Sequence, residues 1–227
     1  MKEFVMMNFD GVIIDSVQVR KERIYSLLEK VGLDPSSEPD FESYMLENWG
    51  MENDNLFLML CAYLGGGHQQ YYQMLEVEKN FVSNYSPDFA IVSALGKIKS
   101  DVKLGVISSR PTVRFYHLLK VMGIDASLFD FIQTANGSGQ LKKTSSEIFS
   151  SSLAWAEELC IPRDKVHYLG NTVRHDLIPA TQAGINFIGV CSGAATQEDF
   201  MNNGLNSSRI VPSFQNLPDY LETHFKR

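Results

Sequence analysis

Short apolar runs alternate with longer amphipathic stretches over most of this 227-residue chain. Residues 4–9, FVMMNF, are apolar at nearly every position, the pattern of a strand buried on both faces. The same character returns in KLGVIS (103–108), KVHYLG (165–170), NFIGVC (186–191) and RIVPS (209–213). Between these runs lie helix-length segments. RPTVRFYHLLKVMG puts Pro111 at a helix start and Gly123 at its end, TSSEIFSSSLAWAEELC opens with capping residues, and HDLIPATQAG stops at Gly184. Pro179 fits that last segment only in a first turn, where its missing N–H costs no helical bond. Strands alternating with helices predict an α/β fold, a doubly wound parallel sheet of Rossmann-like type that places its sites at the carboxyl ends of the strands.

Residues 17–86 break the alternation. VRKERIYSLLEKVG, FESYMLENWGMEN, NLFLMLCAYLGGG and QQYYQMLEVEKNFVSNY all favour helix, punctuated by Gly32 and by Gly65 to Gly67. The expected organisation is a discontinuous core, residues 1–15 and 88–227, with a helical module at 16–87 inserted after the first strand.

Composition narrows the function classes. The net charge of -7 opposes a nucleic-acid or anionic-membrane partner, which would require a concentrated basic face. The one basic cluster, Arg20, Lys21 and Arg23, reads as a solvated helix face. No apolar run reaches the ~20 residues of a membrane span, and no leader precedes the first strand. Cys61, Cys160 and Cys191 have no paired spacing and read as buried free thiols, which with the missing leader implies a soluble, cytoplasmic protein. His68, His117, His167, His175 and His224 lack metal-site spacing. A protein partner is not identifiable from the sequence.

The polar residues ending the predicted strands carry the chemistry. NFDGVIIDS (8–16), VISS (106–109), KKTSSEIF (142–149) and LGNTVRHDLIPATQAG (169–184) resemble, in order and spacing, the four motifs of the haloacid dehalogenase superfamily. The likeness is to its branch with a helical cap, which holds phosphoglycolate-type phosphatases and β-phosphoglucomutase-like enzymes. The resemblance implies an aspartyl nucleophile at position 8, a general acid and base at Asp10, phosphate-holding hydroxyls at Ser108 and Ser109, and a charge-neutralising lysine at Lys143, with Lys142 the competing choice. It also implies magnesium ligands at positions 8, 10 and 171, with Asp176 as an outer acid. A histidine near the first cap helix in some relatives makes Arg20 a candidate to face a substrate.

Two of those positions hold amides. Asn8 stands where the nucleophile belongs and Asn171 where a metal-binding carboxylate belongs. The lone pair of a carboxamide oxygen is delocalised into the C–N bond, so it attacks phosphorus poorly, and loss of a covalent nucleophile costs on the order of 10⁴–10⁶ in rate. Amides also lack the charge that holds a hard cation, so Mg2+ binding is expected to be weak. A lysine and the helix after Pro111 would still hold an anion. The favoured expectation is a phosphatase-like pseudoenzyme that binds phosphate or a phosphorylated small molecule with little turnover. The alternatives are a phosphohydrolase with residual or unconventional activity through Asp10, and an interaction module with a vestigial pocket.

Overall fold

The computed structural model describes residues 2–14, 16–49, 51, 53–79, 89–135, 144–192 and 194–226. The chain divides into two compact units, Met1–Asp15 with Ser86–Arg227, and Ser16–Tyr85. The boundary expected at residue 87 lies outside the described residues.

The first unit is a six-stranded parallel sheet. Its strands are β1 (Glu3–Asn8), β2 (Val102–Pro111), β3 (Phe131–Ala135), β4 (Val166–Gly170), β5 (Asn186–Val190) and β6 (Ile210–Val211), in the spatial order β3-β2-β1-β4-β5-β6. β1 pairs with β2 on one side and β4 on the other, and Phe4 to Asn8 are all buried. Alternate side chains feed two layers. Phe4 and Tyr168 join a cluster with Phe149, Ala156 and Ala180, from the segments covering one face. On the other face the His167 ring meets Phe225 edge-on at 5.2 Å between centroids. A sheet covered on both sides needs such near-continuous apolar strands.

β3 has no counterpart in the sequence reading, because FIQTA is short, only half buried and interrupted by polar Gln133 and Thr134. Asp130 fixes its start by accepting hydrogen bonds from Lys99 Nζ (2.7 Å), Lys103 Nζ (3.0 Å) and the Leu104 N–H (2.9 Å). Pro179 does fall in a first turn, that of the helix Ile178–Gln182, which a π-turn at Val173–Leu177 precedes. There the Leu177 N–H reaches back to the Thr172 carbonyl at 3.1 Å.

The expectation of three buried thiols is corrected at Cys160 and Cys191. Cys160 is exposed, not buried, because it ends the helix Ser150–Glu158 in a left-handed conformation with φ 54°. The N–H of the next residue, Ile161, then caps the Ala156 carbonyl at 2.9 Å. Cys61 is buried, which pushes its thiol up to about 11, and Cys191 is half-buried.

The second unit is helical: α1 (Val17–Lys30), α2 (Phe41–Glu47), α3 (Asn53–Tyr63) and α4 (His68–Lys79). Its basic cluster is tied down inside the unit instead of forming a solvated face. Lys21 pairs with Glu42, and Arg23 lies 3.3 Å from Glu78 of α4 with only 11% of its side chain exposed. Arg20 donates to the Trp49 carbonyl (2.6 Å), the Met51 carbonyl (3.2 Å) and Asn53 Oδ1 (3.0 Å), and its guanidinium stacks 4.6 Å from the Trp49 ring centroid. Among the described residues no helix is long and apolar enough to cross a membrane.

Candidate functional site

In this strand order the direction of winding reverses between β1 and β4, and a crevice opens at the carboxyl ends of those strands. Asn8 is the last residue of β1 and Asn171 the first beyond β4, so the sequence delivers both amides to that point. After Asn8 the backbone folds over itself: the Ile13 and Ile14 N–H groups both donate to the Phe9 carbonyl, at 3.0 and 3.1 Å. Gly11 makes this turn with φ +75°, and a Cβ there would lie 2.1 Å from Asn171 Nδ2. Only glycine permits both the backbone conformation and the approach.

The amides form a ladder. Asn8 Nδ2 donates to the Asp10 carbonyl at 2.9 Å and to Asn171 Oδ1 at 3.1 Å, and Asn171 Nδ2 donates to Ser192 Oγ at 3.1 Å. Two acceptor oxygens, one from the turn after β1 and one from the residue after β4, therefore converge on one NH2 group. Asn8 and Asn171 are 5% and 2% exposed, so these bonds form in a largely dry setting where an unmade one is costly.

Asp176 is 1% exposed and stabilises the loop that carries Asn171. One carboxylate oxygen accepts from the Asn171 N–H (3.2 Å), the Thr172 N–H (3.0 Å) and the Thr172 hydroxyl (2.6 Å), while the other accepts from Tyr168 Oη at 2.8 Å. Burial, and then the neighbouring Asp176 charge, push the Tyr168 hydroxyl well above its ordinary range, so it stays a proton donor.

On the other side of β1, a bulge between Ser108 and Pro111 turns the end of β2. The buried Ser108 hydroxyl accepts the Arg110 N–H at 3.2 Å, whereas Ser109 is exposed. Arg110 then grips Asp10 with two parallel bonds, Nε to Oδ2 at 2.9 Å and Nη2 to Oδ1 at 2.5 Å. The sequence reading had passed over Arg110, although a cation directly after VISS, at the carboxyl end of a central strand, was the available signal. Ser192, just past β5, was also missed.

The residues predicted as a site thus separate into groups. Asn8, Asp10, Asn171 and Ser108 sit together at adjacent strand ends, and Asp176 supports them from beneath the Asn171 loop. Lys142 and Lys143 lie outside the described residues. Arg20 directs its guanidinium to the connection between α2 and α3, where three acceptors and an indole ring surround it.

These residues do not fit a divalent cation. Of positions 8, 10 and 171 only Asp10 has a carboxylate, and it faces Arg110, while the Asp10 carbonyl and Asn171 Oδ1 already meet the protons of Asn8. Among the described residues, no group of three His, Cys, Asp or Glu side chains could hold a metal ion.

Comparison with known proteins agrees with the fold. The family pattern described as haloacid dehalogenase-like hydrolase matches residues 5–190. Among solved structures, a protein from Lactobacillus delbrueckii assigned as a phosphoglycolate phosphatase superposes with TM-score 0.71 at 18% identity, covering 97% of this chain and 98% of that one. One from Thermotoga maritima assigned as a beta-phosphoglucomutase gives 0.69 at 19% identity, with 98% and 99% covered. The beta-phosphoglucomutase of Clostridium difficile gives 0.65 at 21%, with 97% and 99% covered. No curated protein matches the sequence.

Proposed function

The chain belongs to the haloacid dehalogenase-like hydrolase family, and from that premise we propose that it binds inorganic phosphate or a phosphorylated small molecule and turns it over little or not at all. The observation carrying this reading is the Asn8 amide, bonded at 2.9 and 3.1 Å on the very strand end where the family's chemistry needs a free carboxylate. In the family's route a carboxylate oxygen bonds to phosphorus while the ester oxygen leaves with a proton from the second acid. Asn8 offers no anionic oxygen for the first half of that step. Anion binding is supported by what remains: the buried Ser108 hydroxyl, the helix Thr112–Val121 that begins directly after Pro111, and Arg110 itself. Lys143 would add a further positive charge.

Equilibrium dialysis against inorganic phosphate, phosphoglycolate and a glucose phosphate, with phosphate release followed in the same magnesium-containing samples, tests the proposal. Saturable binding with release at the buffer rate is expected. Sustained release would instead establish an active phosphohydrolase, and absence of binding would leave an interaction module.

A further inference from the structure

An anion bound at this crevice needs a countercharge, and the residues at positions 8, 10 and 171 do not suit the divalent cation that the family's chemistry would call for. A cation of another kind is built into the chain at the same place. Resting on the reading proposed above, we infer that the Arg110 guanidinium is the site's own cation. It neutralises Asp10 until an anion arrives, then moves its paired bonds to phosphate oxygens, so that binding requires no metal.

Four observations carry the inference. Arg110 meets Asp10 through Nε and Nη2 together, the planar fork that also matches two oxygens of a phosphate. The pair is reachable from solvent, with 22% of the Arg110 and 30% of the Asp10 side chain exposed, so an incoming anion can compete for the guanidinium without local unfolding. The β2 bulge and the Ser108 hydroxyl fix the Arg110 backbone, so the charge stays at the crevice whichever partner it holds. Finally, the Asn8 amide already donates to the Asp10 carbonyl and to Asn171 Oδ1, two uncharged oxygens that exert no strong electrostatic demand for a divalent ion between them. Asp10 acts in this arrangement as an internal competitor: a carboxylate that occupies the guanidinium and repels a second anion.

The competitor role yields variants that move in opposite directions, which separates the inference from mere loss of fold. Calorimetric titration of the full chain with inorganic phosphate should give the same dissociation constant, within about twofold, in excess EDTA and in excess magnesium. Arg110→Gln should weaken binding about tenfold or more, the loss of a charge-assisted pair. Asp10→Asn should tighten it about threefold or more, a gain no misfolded protein could show. A requirement for magnesium, undiminished binding by the Arg110→Gln protein, or weaker binding by the Asp10→Asn protein would each overturn the assignment of Arg110 while leaving phosphate binding intact. Failure of the unsubstituted protein to bind phosphate in either condition would overturn both this inference and the function on which it rests.

Discussion

Asn8, Asp10 and Asn171 were each legible in the sequence as members of a motif, but their arrangement was not. The two amides alone suggest that restoring carboxylates would restore chemistry. Arg110 sharpens that expectation, because its fork holds Asp10 only while the crevice is empty and leaves it for a bound phosphate, so Asp10 is free to act once an ester is bound. The double reversion Asn8→Asp with Asn171→Asp is therefore expected to release phosphate about 10² faster or more than the unsubstituted protein. Adding Arg110→Ala should raise the KM for the ester about tenfold or more, the loss of its charge-assisted pair to phosphate. Rates for the double and triple variants, assayed side by side with magnesium, decide this; equal KM values in the two would remove Arg110 from the account. Arg110 escaped the sequence reading because a bulge aims its side chain, and a bulge leaves no mark in apolar periodicity. Gly11 is the residue on which the amide ladder depends most narrowly. Gly11→Ala would force a methyl to within 2.1 Å of Asn171 Nδ2 at φ +75°, and should cost about 2–4 kcal/mol in urea unfolding. A cost near zero would mean that the turn can move away from Asn171.

At the level of elements, the long buried strands were the easiest part to read, since β1 and β2 are apolar on both faces and a doubly covered sheet demands that. β3 was hidden because its pairing is fixed from outside the strand, by Asp130 and two lysines far away in sequence. The end of β4 opposite the site carries a pH dependence of its own. Burial lowers the affinity of His167 for a proton, with Lys165 and Arg209 acting in the same direction and the nearby Glu3 carboxylate, 3.2 Å from Nε2, opposing them. The folded state thus holds the proton off, while the unfolded chain takes it up below the ordinary value of 6.5. Stability is fully present above that pH and declines as pH falls toward the lower folded-state value. Thermal melts between about pH 7 and pH 5 should show this decline in the unsubstituted protein and a shallower one in His167→Gln, whose uncharged amide has no proton to gain. Equal slopes in the two proteins would show that the acid sensitivity arises elsewhere.

Across the whole molecule, the fold follows from alternation and the site from topology: the reversal of winding between β1 and β4 brings residue 8 beside residue 171 despite the distance in sequence. That much could be anticipated from strand-end motifs. What could not be anticipated is that the crevice satisfies itself, with an amide NH2 between converging oxygens and an arginine on the remaining carboxylate. The basic cluster of the helical unit teaches the same lesson, since Arg20, Lys21 and Arg23 looked like a solvated face until carbonyls, carboxylates and an indole appeared around them. The net charge of -7 describes the chain as a whole and says little about a crevice whose local charges are paired. The account's central claim is that this crevice retains a phosphate-binding outline without the electron-rich oxygen needed to break a phosphate ester. Its most direct test is phosphate release from a series of phosphomonoesters in excess magnesium, by protein whose intact mass confirms amides at positions 8 and 171. The account predicts release no faster than the buffer alone, and many turnovers per protein molecule would contradict it.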